Sequence, residues 1–495
     1  MIKYISIIIS LLIKITVSDK LIFVSTHFRH GARAPMKVDS NYKDHIKEVW
    51  TNPGELTGVG QRMLYLLGMR NRNRYIETYN FLSDKYDSHE LLVYSTAFNR
   101  TILSAYAQLQ GLYPESYGLG EKLNEEQEAK AFPAVKCDYP KIEEELKKIK
   151  GYAMPNLMTM IPVRMINNNE KKMTLYDIGE CGTIRDSIKE KNRNNIPILV
   201  KMQKEFNEKY GKILNDFYEK EETYDYIFMN RFCDAIVSGV TNGKDLTEFK
   251  KTNIDIDKME NYCHEVQKMN YQEHILGDDK HILAPLEASK MMREIIHYMK
   301  QRIDADINQE NIEEKYLDYS RPKMLMISGH DSTISCHEMF IISSLGFPVS
   351  YFRGAQYGSQ LALEISRRDA SVDEIKKMTY KDYNLSYYFD DELVFNITVD
   401  EYIKKIEPKL WTDEQIDEFC GFNTDKNSEN TEKIEKNEKK NKSNIAYLIV
   451  CIFLIILILV FLIVILILYC KLKQLRIIRP LKDIKEIQIV KPYRK

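Results

Sequence analysis

The sequence predicts an α/β fold: a mixed, mostly parallel sheet flanked by helices, with a mainly helical cap inserted in it. Three observations carry this expectation. Short apolar runs rich in β-branched residues recur at Leu21–His27, Leu91–Ser95 and Met324–Ser328, each with a polar exit, as in strands buried on both faces of a parallel sheet. Helical patterns lie between them, at Gly60–Tyr75 and Ala284–Ile303, and strands alternating with helices favour this class. The stretch from Gln108 to Arg321 is rich in Lys, Glu, Asn and Met with few strand-like runs, so a helical cap over about 108–320 is expected between two sheet halves. Leu361–Ser366 and Leu393–Val399 are further strand candidates.

The two ends stand apart from this domain. Residues 1–18 place Lys3 before an apolar stretch, Ile5–Ile13, and end in the small residues Thr16 and Ser18, the pattern of a secretory signal peptide. Residues 445–470, Ile445–Cys470, carry no charge. At about 1.5 Å per residue that helix exceeds the ~30 Å hydrocarbon core of a bilayer. The tail 471–495 holds nine Lys/Arg against Asp483 and Glu486, which places it in the cytosol by the positive-inside bias. The stretch 423–444 is Asn/Lys/Glu-rich with one aliphatic residue, Ile434, and is expected to be a disordered stalk. The expected topology is single-pass type I, with the 19–422 domain luminal or extracellular, in a lysosome-like compartment or at the cell surface.

Composition sets the remaining bounds. Lys+Arg is 71 against 72 Asp+Glu, a net charge of −1, so no basic footprint for nucleic acid exists over the whole chain. That balance is a sum of opposites: residues 19–470 carry −10 and the tail +7. With 44% hydrophobic residues a wholly disordered chain is excluded, and a mean hydropathy of −0.40 excludes a polytopic membrane protein. Six cysteines lie before the span, at positions 137, 181, 233, 263, 336 and 420, an even number suited to disulfides in an oxidising compartment. No Cys-x-x-Cys pair supports a zinc ribbon or thioredoxin chemistry. Glycosylation sequons occur at Asn99, Asn384, Asn396 and Asn441.

Chemistry concentrates in three clusters, each directly after an expected core strand, where open α/β sheets form their sites. They are Arg29-His30-Gly31-Ala32-Arg33-Ala34-Pro35, Ser95-Thr96-Ala97-Phe98-Asn99-Arg100-Thr101 and Gly329-His330-Asp331-Ser332-Thr333. Three guanidiniums converging on one spot need an anion, and their forked donors suit phosphate. An imidazole among them can attack phosphorus, and a nearby carboxyl group can protonate a leaving alcohol. His27, His264, His281 and His337 lack such context and are expected to be structural.

The block Phe28–Pro35, FRHGARAP, resembles the signature of the histidine acid phosphatases, complete over R-H-G-x-R-x-P. The resemblance continues through Gly54–Tyr75, STAFNRTILSA and SGHDST, and covers essentially all of Lys20–Phe422. The span and short tail are similar to the membrane-anchored, lysosomal branch of that family. The resemblance implies a phosphoglycerate-mutase-like fold and a phosphohistidine mechanism. His30 would be the nucleophile; Arg29, Arg33, Arg100 and His330 would bind phosphate; Asp331 would be the proton donor. It implies no metal and no other cofactor, phosphomonoester substrates, and a homodimer as a further assembly. It also implies disulfides Cys137–Cys420 and Cys181–Cys233. One departure stands out: the family usually has Asp where this chain has Ala97. Two other functions compete with that of an acid phosphatase. A phytase or inositol-polyphosphate phosphatase is disfavoured by Asp331 directly after His330 and by the acidic outer portion. A catalytically silent surface receptor on the same fold is disfavoured by the complete set of site residues.

Overall fold

The computed structural model describes residues 19–36, 50, 52–114, 121–131, 133, 140–149, 151–154, 159–166, 197–244, 254–276, 283–309 and 322–420. The expected signal, stalk, span and tail, and the sites at Cys137, Cys181 and Asn441, lie outside these residues. Among the described residues no helix is long and apolar enough to cross a membrane.

Seven strands form one sheet in the order β3-β2-β4-β1-β5-β6-β7. They are β1 Lys20–Arg29, β2 Leu91–Thr96, β3 Arg164–Ile166, β4 Met324–Gly329, β5 Gln360–Arg367, β6 Tyr383–Phe389 and β7 Glu392–Thr398. The first four run parallel to one another; β5, β6 and β7 complete the sheet as an antiparallel meander. The helices used below are α1 Gly58–Arg72, α2 Asn99–Leu112, α3 Tyr226–Thr241, α4 Ile256–Leu276, α5 Leu283–Asn308 and α6 Asp331–Leu345.

The alternation of side chains along a strand explains the layering. In β4, Leu325 and Ile327 face a core shared with α5 and α6, whereas Met324 and Met326 face a second core shared with α1 and α2. In β1, Phe23 faces the first core, and Val24 and Phe28 the second. A central strand covered on both faces must be apolar almost throughout, which is why these runs stand out in the sequence. The cap has its own core, built by Leu199, Phe206, Tyr210, Met229, Phe232 and Val266. Helix α5 packs on the sheet, since its residues Ala284 to Ile303 join the sheet's core and not that of the cap.

Strands β1, β2, β4, β5 and β7 fall where the apolar runs predict them. Two strands lie outside the sequence expectation. β3 has only three residues, and β6, YNLSYYF, mixes Asn and Ser with aromatics. Both become strands by pairing with a neighbour already in the sheet.

One disulfide corrects an expectation. Cys233 of α3 is bonded to Cys263 of α4, not to Cys181, with the two Cα atoms 4.8 Å apart. Packing of the two cap helices side by side brings these positions within disulfide reach, which sequence spacing alone does not reveal. Cys420 is disulfide-bonded; its expected partner, Cys137, lies outside the described residues. Cys336 is buried in α6, and its thiol donates to Glu287.

Candidate active site

Register brings the three polar clusters to one level. Arg29 of β1 pairs with Gly329 of β4, and Ser95 of β2 pairs with Ser328 of β4, so all three loops leave the sheet together at its carboxyl edge. His30 continues β1, its N–H donating to the Gly329 carbonyl at 3.0 Å. The next residue must be glycine: a Cβ on Gly31 would lie 2.3 Å from the Gly60 carbonyl oxygen at the start of α1. The first cluster therefore sits pressed onto a helix end and cannot swell.

The His30 ring is oriented by one bond. Nδ1 lies 2.9 Å from the Gly31 carbonyl oxygen, which can only accept, so Nδ1 carries the proton and Nε2 keeps its lone pair. Burial, then Arg29, Arg33 and His330, push the His30 pKa well below its ordinary value, so the imidazole stays neutral in acid. His330 stands edge-on to it at 5.5 Å between ring centres. Its Nδ1 faces Arg100 Nη2 at 3.3 Å and its Nε2 faces Thr96 Oγ1 at 3.1 Å. A guanidinium cannot accept, so Nδ1 accepts and Nε2–H donates to Thr96. Burial, then Arg100, lowers His330 to about 3.

The arginines share a pattern. Arg29 spends Nη1 on the Ala355 carbonyl at 2.9 Å and Nη2 on Asp331 Oδ2 at 2.8 Å. Arg33 holds Asp234 with both terminal nitrogens, at 3.2 and 2.9 Å. Arg100 donates Nη2 to His330 and lies over the Phe98 ring at 4.7 Å. In all three the Nε–H is buried with no hydrogen-bond partner among the described residues. Such orphaned charged donors are costly, and an incoming anion satisfies them. Burial opposes the Arg33 charge, but Tyr357 and Asp234 outweigh it and hold its pKa above the ordinary value. Arg100 is lowered by burial and by Arg33.

All six residues singled out in the sequence (Arg29, His30, Arg33, Arg100, His330 and Asp331) thus meet at one edge of the sheet. Asp331 is half-buried at the start of α6, and its Oδ1 accepts from the Ser332 N–H at 2.9 Å. Ala97 is exposed in the second loop. His27 and His337 are buried, facing each other with their Nδ1 atoms 2.8 Å apart, away from the arginines' hydrogen bonds.

Sequence reasoning missed a second tier. The segment Arg353–Ser359 supplies the Ala355 carbonyl and places the Tyr357 ring 4.3 Å beneath the Arg29 guanidinium. That segment hangs from buried Glu338 of α6, whose carboxyl accepts from the Arg353 N–H at 2.7 Å and the Gly354 N–H at 3.3 Å. Burial raises Glu338 to about 8. From the cap, Asp234, Ser238 and Asn242 reach Arg33, Tyr357 and the Arg33 carbonyl. Their spacing of four along α3 and its C-cap was the available signal.

With this geometry in place, the family model described as "Histidine phosphatase superfamily (branch 2)" matches residues 20–349. The chain belongs to that family. The "Lysosomal acid phosphatase" of Xenopus laevis is 42% identical over 99 residues, covering 20% of this chain and 22% of that protein. The "Testicular acid phosphatase" of Homo sapiens is 44% identical over 101 residues, covering 19% and 22%. At these identities the chain spans under a quarter of the length of the curated relatives it matches. Among solved structures, a Klebsiella phytase is 13% identical with a TM-score of 0.48, covering 79% of this chain and 95% of that one.

Proposed function

We propose that the chain is an acid phosphatase that hydrolyses phosphate monoesters through a phosphohistidine on His30. The observation that carries this is the set of three buried, unpartnered Nε–H donors around a neutral imidazole whose Nδ1 is tied to a carbonyl. A monoester phosphate would take those donors on its non-bridging oxygens; for His330 to be a further ligand, as the resemblance implies, its Nε2–H would turn from Thr96 to the phosphate. His30 Nε2 attacks phosphorus and the P–O bond to the leaving group breaks. Asp331, entering the step as the neutral acid, gives its proton to that oxygen, releasing an alcohol. The Gly31 carbonyl, accepting from Nδ1–H, stabilises the positive phospho-imidazole. Water then attacks phosphorus, Asp331 takes its proton, and the P–N bond electrons return to His30. Arginines supply the positive charge that magnesium supplies in other phosphoryl transfers.

The sequence supports a setting outside the cytosol for this domain, anchored by the 445–470 span. Burial and the flanking arginines keep His30 an unprotonated nucleophile in acid, as attack on phosphorus requires. The test is hydrolysis of a generic aryl phosphate by the purified full-length chain at acid pH. His30→Ala is expected to lower the rate by at least about 10⁴-fold. Full activity in that variant overturns the assignment.

A further inference from the structure

Two residues of cap helix α3 and its C-cap, spaced four apart, reach the first-loop side of the site. Asp234 accepts from Arg33 Nη1 and Nη2 and from the Met36 N–H at 2.9 Å. Ser238 lies 3.1 Å from the Tyr357 hydroxyl, and Tyr357 is the ring beneath Arg29. Asn242 donates to the Arg33 carbonyl at 3.3 Å and accepts from the Thr57 hydroxyl at 2.5 Å. The last two turns of one helix and its C-cap thus hold the side chain, the main chain and the aromatic neighbour, 5.9 Å away, of the same arginine.

The consequence for Arg33 follows from the shape of a guanidinium. A carboxylate on both terminal nitrogens occupies the end of the fork and the Ala34 carbonyl takes the second Nη1 proton, which leaves the edge carrying Nε–H and the second Nη2 proton for an anion. Asp234 therefore fixes which edge of Arg33 an anion meets. It also places a carboxylate next to the phosphate position, its side chain 17% exposed, and a like charge there disfavours an anion that carries more phosphates on its leaving group. The adjoining Cys233 is tied to Cys263, so the backbone that carries Asp234 has little freedom to withdraw.

We infer that Asp234 is a positioning and specificity-determining residue: it presents the Nε edge of Arg33 to a single phosphate and selects monophosphorylated substrates over polyphosphorylated ones. The inference rests on the phosphatase function proposed above and names its substrate class.

The experiment compares the full-length wild type with Asp234→Asn and Asp234→Glu. Each protein is assayed on an aryl phosphate and on inositol hexakisphosphate, and binding of inorganic phosphate is measured by calorimetry. Asp234→Asn removes the charge and half of the bidentate clamp while keeping the shape. It is expected to lower kcat on the aryl phosphate about ten- to a hundredfold with little change in KM, since Arg33 loses its alignment for the transition state. The ratio of the hexakisphosphate rate to the aryl phosphate rate is expected to rise at least about tenfold. Asp234→Glu, which keeps the charge, is expected to retain the wild-type ratio. A purely structural role would depress both substrates together and leave the ratio fixed. Wild-type activity with an unchanged ratio in a folded Asp234→Asn protein overturns the inference and spares the phosphatase function. A wild type that neither hydrolyses the esters nor binds phosphate overturns both.

Discussion

The strand-end loops and the cap helices hold the same arginines by different means. The loops present their residues because short polar segments follow buried strands, and register fixes their level to within a residue. The cap reaches the same place from α3, some two hundred residues away in sequence, through Asp234, Ser238 and Asn242. Loop residues are those proposed to touch the reacting groups; cap residues touch those loop residues. The comparison teaches that an arginine cage can be built in two tiers, with charge supplied by the sheet edge and orientation imposed from the cap.

The sharpest way to test the loop tier, beyond the nucleophile itself, is Asp331→Asn. Loss of the proposed proton donor is expected to cost about 10²–10⁴ in kcat for an alkyl phosphate, and far less for an aryl phosphate whose leaving group needs no proton. Profiles of kcat against pH for both esters check this. An equal loss on both would assign Asp331 to holding Arg29, its partner at 2.8 Å, and not to proton delivery.

The cap tier is broken most directly through its disulfide. Cys233→Ser with Cys263→Ser opens a loop with a sequence separation of 30, and the expected loss is about 2–4 kcal/mol, confined to the cap. Hydrogen exchange should rise over 226–276, where α3 and α4 lie, and remain slow in β1 and β4. Uniform loosening of sheet and cap would show that the two are not separate tiers.

The smallest expected effect concerns how the sheet side tolerates acid. Burial lowers His27 to about 3 from 6.5, and burial with His27 alongside lowers His337 well below its ordinary value. An unfolded chain takes up a proton below pH 6.5 that folded His27 refuses, so stability is full above that pH and is lost as pH falls toward about 3. At pH 4.5 the His27 contribution is roughly 2–3 kcal/mol. Urea denaturation at about pH 7 and about pH 4.5 is expected to show a shallower pH dependence for His27→Val with His337→Leu than for wild type. An unchanged slope would mean that this pair is not what limits acid stability.

How much of this could be read before folding differs between the tiers. The R-H-G-x-R-x-P block, Arg100 and His330-Asp331 were legible because each follows a strand whose burial on both faces forces an apolar run, and the polar break afterwards marks the sheet edge. Glu338 and Tyr357 were not, since a buried Glu in an apolar helix and a Tyr in an irregular segment have no pattern until something packs against them. Asp234 sat in plain sight on a helix, but its partner could be named only after the cap had folded over the first loop. The disulfide behaves alike: Cys233 had several candidate partners, and the packing of α3 on α4 chose Cys263.

The sequence by itself determined the sheet, the three catalytic-edge clusters and the family to which the chain belongs, because strand burial and adjacent polar residues are local properties of the chain. Only the tertiary structure decided which edge of each arginine remains unsatisfied, which proton each histidine carries and which cap residue holds Arg33. Those are outcomes of hydrogen bonds between segments far apart in sequence. Geometry in three dimensions, not residue type, assigns a donor to its acceptor.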